Sequence, residues 1–71
     1  MTTTQLTVTI NGVDRQVPDG STVGDFLADR GYKVTMVIVE RNGEIVPRDE
    51  CAGTRFASGD QVEIIHAVGG G

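Results

Sequence analysis

Few side chains in this 71-residue chain are of a type and spacing that could do chemistry. The single cysteine, Cys51, and the single histidine, His66, could in principle form a nucleophile and its base. However, the pattern places His66 in the last strand and Cys51 in a loop, and it indicates no third group to orient the histidine. The chain also has no glycine-rich phosphate loop followed by lysine, and no pair of histidines at metal-ligand spacing. We therefore predict that the chain has no catalytic residues, binds no metal and holds no cofactor of its own.

The remaining candidate is the C-terminal end, where Gly69, Gly70 and Gly71 directly follow an apolar strand pattern. Such a tail spans about 10 Å when extended and carries a carboxylate without neighbouring side chains. A narrow adenylating site needs a terminus of this kind, because any Cβ would clash with the enclosing walls. A bare glycine tail is also typical of an ordinary frayed terminus. The strand directly before it favours the functional interpretation, since the base of the tail is then rigidly positioned.

The chemistry of such a terminus follows from the weak electrophilicity of a carboxylate. ATP can activate the carboxylate as a mixed anhydride with AMP, and the sulfur of a persulfide can then displace AMP. Reduction leaves a terminal thiocarboxylate, a soft nucleophile that delivers sulfide equivalents to a carbon centre. The chain would supply the reactive carboxylate, and partner enzymes would supply the catalysis.

Charge and composition limit the possible partners and compartments. Ten acidic against six basic residues give a net charge of −4, which argues against nucleic acid because phosphates would be repelled. One cysteine excludes an internal disulfide and a cysteine-rich metal or iron–sulfur site. The chain has no signal-peptide pattern, and its longest apolar run is far shorter than the about 20 residues that span a bilayer. We expect one small cytoplasmic domain that is monomeric when free and binds neither nucleic acid nor membranes.

The elements that must position the tail begin with a β-hairpin. Residues 1–5 offer nothing to bury and are expected to be flexible. Apolar residues then alternate with threonines, the period of a half-buried strand. Asn11 and Gly12 accept the positive φ of a two-residue hairpin turn, and a second strand covers residues 13–17. The inward residues of the first strand are Leu6, Val8 and Ile10.

One helix is predicted after the hairpin. Ser21 or Thr22 can cap its N-terminus, and Gly31 can end it. Between them a mostly apolar stripe recurs at helical spacing, formed by Val23, Phe26, Leu27 and Arg30. This predicts a helix of about two to three turns that lies across one face of a sheet.

The second half of the chain is predicted to complete the sheet. Residues 34–40 are rich in β-branched types, which indicates an inner strand. A turn at 41–43 leads to a short strand at 44–46, and residues 48–53 are expected to form a turn or one helical loop. Phe56 is expected in the core. The last strand is predicted to run from residue 61 to residue 68 with Val62 and Ile64 inward.

This order of elements predicts an α+β protein with the β-grasp (ubiquitin-like) fold, a mixed sheet of four to five strands with one helix packed across one face. By analogy with that fold, the first and last strands should pair in parallel. The predicted divisions are a flexible N-terminus at 1–5, the β-grasp domain at 6–68 and a flexible glycine tail at 69–71.

Two stretches and the glycine tail carry a resemblance to a known family. The stretches are residues 39–48, VERNGEIVPR, and residues 59–66, GDQVEIIH. With them the chain resembles the ThiS family, the sulfur carriers of thiamine biosynthesis, over nearly its whole length from Leu6 onward. The Asn-Gly-x-Ile-Val-Pro-Arg segment is fairly specific, the Gly-Asp pair less so, and the glycine tail is shared with all such carriers. Many members end in two glycines, which leaves either Gly71 or, after trimming, Gly70 as the reactive end.

The resemblance implies a set of partners and a modified residue. A ThiF-type adenylyltransferase would use ATP to adenylate Gly71, with Gly70 as its required neighbour. A cysteine desulfurase or another persulfide donor would supply the sulfur, and the thiocarboxylate would pass it to thiazole synthase, ThiG. ATP would serve the partner enzyme and would not be held by this chain.

A docking surface for these partners is predicted on the open face of the sheet. If Val37 and Val39 face the helix, their neighbours in the strand predicted at residues 34–40 face away from it. The predicted surface residues are Met36, Ile38, Glu40, Glu63, Ile65 and Ala67, with the two glutamates positioned for basic partners. The alternatives are that these are merely tolerated exposed apolar residues, or that the assignment of faces is reversed.

Two other functions remain open at this point. A small subunit of molybdopterin synthase would share the fold, the tail and the activation chemistry, but would pass its sulfur to a dithiolene precursor. A ubiquitin-like protein modifier or plain binding module would use the tail for isopeptide bonds or not at all. A β-grasp ferredoxin is excluded because one cysteine cannot hold a cluster that takes four.

Overall fold

The computed structural model of the protein describes residues 4–66. The predicted flexible ends and the predicted strand residues 67 and 68 therefore lie largely or wholly outside the described part. Five strands and one α-helix occur in it, together with two short 3-10 helices, Val34–Met36 and Arg48–Gly53. The strands and the helix are, in chain order, β1 (Gln5–Ile10), β2 (Val13–Pro18), α1 (Val23–Asp29), β3 (Val37–Arg41), β4 (Glu44–Val46) and β5 (Gln61–His66).

Both β-hairpins turn at an Asn-Gly pair. The φ angles are +51° at Asn11 and +80° at Gly12, and +53° at Asn42 and +85° at Gly43. Positive φ at both central residues is the geometry of a type I′ turn, whose twist matches that of the flanking strands. The hairpin predicted at the start of the chain is confirmed, with β1 beginning one residue earlier than expected, at Gln5.

The strands form one mixed sheet in the order β2-β1-β5-β3-β4. The last strand in the chain, β5, lies in the middle. It runs parallel to β1, with Thr9 opposite Gln61 and Ile10 opposite Val62, and antiparallel to β3. The parallel pairing expected by analogy is confirmed. With α1 across one face, the arrangement is the predicted β-grasp fold.

Local hydrogen bonds define both ends of α1. Thr22 is the N-cap: its hydroxyl accepts from the N–H of Asp25, and the Asp25 carboxylate accepts from the N–H of Thr22, both at 3.0 Å. At the other end Gly31 has φ of +76°, and the N–H of Tyr32 donates to the carbonyl of Leu27 at 2.8 Å. This Schellman-type ending places Tyr32 back against the helix.

The core lies between α1 and the sheet. Phe56 is buried there, as predicted, and its ring meets that of Phe26 edge to face, with the centroids 6.2 Å apart. The second 3-10 helix packs so closely on α1 that a Cβ on Gly24 would lie 2.9 Å from the Cα of Ala52. The buried apolar residues are Val8, Ile10, Val17, Val23, Leu27, Val37, Val39, Cys51, Phe56, Val62 and Ile64. None of the helices within residues 4–66 has the length and apolar character needed to cross a membrane.

One predicted strand is wrong over its first three residues. Residues 34–40 were expected to be extended, but β3 begins at Val37, after a 3-10 helix in which the N–H of Met36 donates to the carbonyl of Lys33 at 2.8 Å. The pairing of β3 with β5 likewise begins at Val37, opposite His66. β-branched residues favour a strand only where a neighbouring strand receives them, and residues 34–36 instead connect the helix layer to the sheet.

Candidate functional site

The face of the sheet opposite α1 carries two isoleucines side by side. Val37 and Val39 are buried on the helix side, so Ile38 between them points to the open face. Ile38 lies directly opposite Ile65 of β5, and the two residues are 43% and 46% exposed. The predicted assignment of faces is therefore confirmed for these residues.

A third isoleucine belongs to the same surface and was missed by the sequence reasoning. Ile45 of β4 is directly opposite Glu40 of β3, which places it on the open face, and it is 66% exposed. The available signal was the alternation of Ile45 with Val46 in a short strand. Three residues are too few, however, to show which face of the sheet Ile45 occupies unless the register of the strands is known. We refer to Ile38, Ile45 and Ile65 as the isoleucine patch.

Two glutamates lie within the same face. Glu40 is flanked by Ile45 on one side and by Glu63, its direct partner on β5, on the other. Like charges directly opposite each other in a sheet destabilise it. We call Glu40 and Glu63 the acidic pair. The acidic pair lies beside the exposed isoleucine patch, and a basic group on a partner would complement its negative charge.

β5, the strand that precedes the glycines, pairs with β1 and β3 and also makes an aromatic contact. His66 is opposite Val37 of β3 and shares its helix-side face. The centroid of the His66 ring lies 5.1 Å from that of the Tyr32 ring, with the ring planes at 49°. The last described residue of β5 therefore contacts the chain segment that ends α1.

The remaining residues of the predicted site lie either outside the strands or outside the described part of the chain. Met36 is 47% exposed but lies in the first 3-10 helix and not in the strand. Ala67 and the glycines Gly69, Gly70 and Gly71 lie outside the described residues. The structure therefore brings together four of the predicted docking residues, Ile38, Glu40, Glu63 and Ile65.

Cys51 lies in an environment that disfavours a reactive thiolate. The residue is buried in the second 3-10 helix, and its thiol lies 3.5 Å from the carbonyl oxygen of Pro47. Burial, followed by the charges of Asp49 and Glu50, raises the pKa of the thiol above its ordinary value of 9.0. His66 contacts Tyr32 instead. No group of His, Cys, Asp or Glu side chains in the described part of the chain could hold a metal ion.

Comparison with known proteins places the chain in a family. The model of the ThiS family matches residues 8–71. The sulfur carrier protein ThiS of Bacillus subtilis is 38% identical over 63 residues, which cover 87% of this chain and 96% of that protein. Thiazole synthases of Paramagnetospirillum magneticum and Magnetococcus marinus are 40% and 32% identical over 62 residues. The chain spans only 19% of the length of each of these two synthases.

Solved structures agree with this assignment. The crystal structure of the thiamine biosynthesis protein ThiS from Geobacter metallireducens is similar with a TM-score of 0.75 and 33% identity, over 93% of this chain and 100% of that one. A solution structure of a thiamine biosynthesis protein from the same organism gives a TM-score of 0.70. The family model, the Bacillus subtilis relative and the solved structures agree, and the chain belongs to the ThiS family.

Proposed function

We propose that this chain carries sulfur for the thiazole of thiamine on the carboxylate of Gly71. The observation that carries the proposal is that the family match runs through to residue 71 and so includes the glycine tail. The match to the Bacillus subtilis sulfur carrier over nearly the whole of both chains supports it. The chain acts as a substrate of partner enzymes and binds no cofactor itself.

The reaction takes place in three steps at the terminal carboxyl group. In an adenylating enzyme of the ThiF type, a carboxylate oxygen of Gly71 attacks the α-phosphorus of ATP, and pyrophosphate leaves. The terminal sulfur of a persulfide, supplied by a cysteine desulfurase or another donor, then attacks the acyl carbon and AMP leaves. A thiol reduces the resulting acyl disulfide to the thiocarboxylate. Gly69 and Gly70 let the tail enter a narrow site, because they have no Cβ.

The thiocarboxylate then gives its sulfur to a thiazole synthase. The similarity of this chain to part of two thiazole synthases supports that partner, and it favours the thiazole branch over a dithiolene acceptor or protein modification. We place this chemistry in the cytoplasm, where ATP and reduced sulfur donors are available. We expect the chain to be monomeric when it is not bound to a partner.

The open face of the sheet is the proposed docking surface for these partners. The isoleucine patch offers apolar area, and the acidic pair offers charge for a basic residue of the partner. Both include residues of β3 and of β5, and β5 is the strand that continues toward the tail. Met36, in the 3-10 helix that precedes β3, and Ala67, the residue after β5 in the sequence, are proposed to extend this surface. A partner bound to this surface would contact β5, the strand that precedes the tail.

An intact-mass measurement tests the proposed modification. The chain is incubated with ATP, the cognate adenylating enzyme and a persulfide source, and its mass should rise by the difference between a sulfur and an oxygen atom. Fragmentation should place the change on Gly71. The matched control is a chain lacking Gly71, which shows whether Gly70 can serve as the reactive end. No mass change in the full chain, or sulfur on Cys51, would contradict the proposal.

A further inference from the structure

We propose that Tyr32 is a positioning residue for the C-terminal tail and acts through its ring contact with His66. The inference rests on the proposed function, because it concerns how the terminus is presented to the adenylating enzyme. Neither side chain is proposed to take part in the chemical step. The contact joins the chain segment that follows α1 to His66, the last residue of β5, and these two places are far apart along the chain.

Tyr32 is itself held firmly, so it can hold another residue. Its N–H donates to the carbonyl of Leu27 at 2.8 Å, and the N–H of Gly31 donates to the carbonyl of Ala28 at 3.1 Å. These two bonds form the Schellman ending of α1. The Tyr32 side chain is partly buried and packs against the core. The helix end therefore sets the position of the ring that His66 meets.

His66 lies beyond the part of β5 that β1 supports. The pairing of β1 with β5 ends at Val62. Beyond it, the side-chain amide of Asn11 forms hydrogen bonds with the backbone of Ile64. It accepts from the Ile64 N–H at 2.8 Å and donates to the Ile64 carbonyl at 3.2 Å. Past Ile64, the contacts of β5 that the structure describes are those with β3 and with the Tyr32 ring.

A contact at this place affects the reaction through orientation. A terminus that must reach a reacting phosphorus gains rate when its accessible directions are restricted in advance. The isoleucine patch governs docking, so the Tyr32 contact should act mainly after docking, on kcat. A contact between two rings contributes an amount equivalent to a change of about twofold to tenfold.

The test measures adenylation of the full-length chain as pyrophosphate release. Four proteins are compared: wild type, Tyr32→Ala, Tyr32→Phe and Phe26→Ala. We expect Tyr32→Ala to lower kcat about twofold to tenfold with KM little changed, and Tyr32→Phe to retain the wild-type kcat because the ring remains. Phe26→Ala is the matched control, since it removes a partly buried aromatic that contacts Phe56 and not His66.

A second measurement does not depend on the partner enzyme. Backbone ¹⁵N relaxation of the free chain should show a lower order parameter for the His66 amide in Tyr32→Ala, with Val62 and Ile64 unchanged. An unchanged kcat, an equal loss of kcat in Phe26→Ala, or an unchanged order parameter at His66 overturns the inference. If wild type is not adenylated at all, the proposed function fails, and the relaxation measurement still decides whether Tyr32 orders His66.

Discussion

The side-chain amide of Asn42 donates a hydrogen bond to the carboxylate of Asp60 at 3.0 Å, across 18 positions of the chain. Asn42 is in the β3–β4 turn and Asp60 directly precedes β5. The carboxylate also accepts from the guanidinium of Arg41 at 3.1 Å and from the N–H of Ala57 at 2.8 Å. The two stretches that carry the family resemblance are thus joined at one buried acid, which fixes the β3–β4 hairpin against the start of β5.

This arrangement predicts how stability depends on pH. Burial raises the pKa of Asp60, but the hydrogen bonds from Ala57, Asn42 and Arg41, together with the charge of Arg41, lower it more, so the pKa lies below its ordinary value of 3.8. A carboxyl group with a lowered pKa in the folded state contributes stability above its unfolded pKa and loses it as the pH falls through the folded pKa. The free energy of unfolding should therefore decrease below about pH 4.

The variant Asp60→Asn separates this contribution from that of the other acids. At pH 7 it should unfold with a free energy lower by about 1–3 kcal/mol, because charge-assisted hydrogen bonds are lost. It should also lose part of the acid dependence. Urea denaturation at several pH values measures both effects, with Asp19→Asn, an exposed turn residue, as the control. Equal acid dependence in wild type and Asp60→Asn would contradict the assignment.

The isoleucine patch predicts a loss of partner affinity on substitution with aspartate. Ile65→Asp should weaken binding to the adenylating enzyme by about tenfold or more, because a charge replaces apolar area at the centre of the contact. Titration calorimetry gives the Kd. Val13→Asp is the matched control, since Val13 is 52% exposed on β2, an edge strand that β1 separates from β5. An unchanged Kd for Ile65→Asp would remove the proposed docking surface.

The acidic pair predicts opposite effects on stability and binding. Glu40→Lys places unlike charges across β3 and β5, which should stabilise the free chain by about 0.2–1 kcal/mol. The same change should weaken binding to a basic partner, most strongly at low salt. Denaturation and binding at two ionic strengths measure the two effects, and Glu50→Lys supplies the same charge change elsewhere. Stronger binding by Glu40→Lys would show that no basic group of the partner lies there.

The close approach of α1 and the second 3-10 helix predicts an unusual effect of alanine. Gly24→Ala adds helix propensity worth about 1 kcal/mol, but the new Cβ meets the backbone of Ala52 at 2.9 Å. Overpacking of this kind costs about 1–3 kcal/mol, so we expect a net loss of stability and a lower Tm. Gly53→Ala, whose Cβ would meet nothing within 4 Å, is the control. A more stable Gly24→Ala would contradict the packing described.

The elements that depend on local pattern were predictable. Alternation of β1, the Asn11-Gly12 turn, the Thr22 cap and the Gly31 end of α1 are each decided by a few neighbouring residues, and the structure confirms them. The start of β3 was not predictable in this way. Residues of strand-forming type at 34–36 make a 3-10 helix, because β propensity is realised only in paired strands.

The amino-acid sequence by itself determined the order of the elements, the single cysteine and the run of glycines at 69–71, because these follow from residue types and short-range spacing. The tertiary structure alone decided which residues stand opposite one another. Ile45 joins the isoleucine patch, Glu40 meets Glu63, and Tyr32 meets His66 only through strand register and helix packing. A shift of one residue in register would turn each strand side chain to the other face, and local periodicity carries no information on how distant strands align.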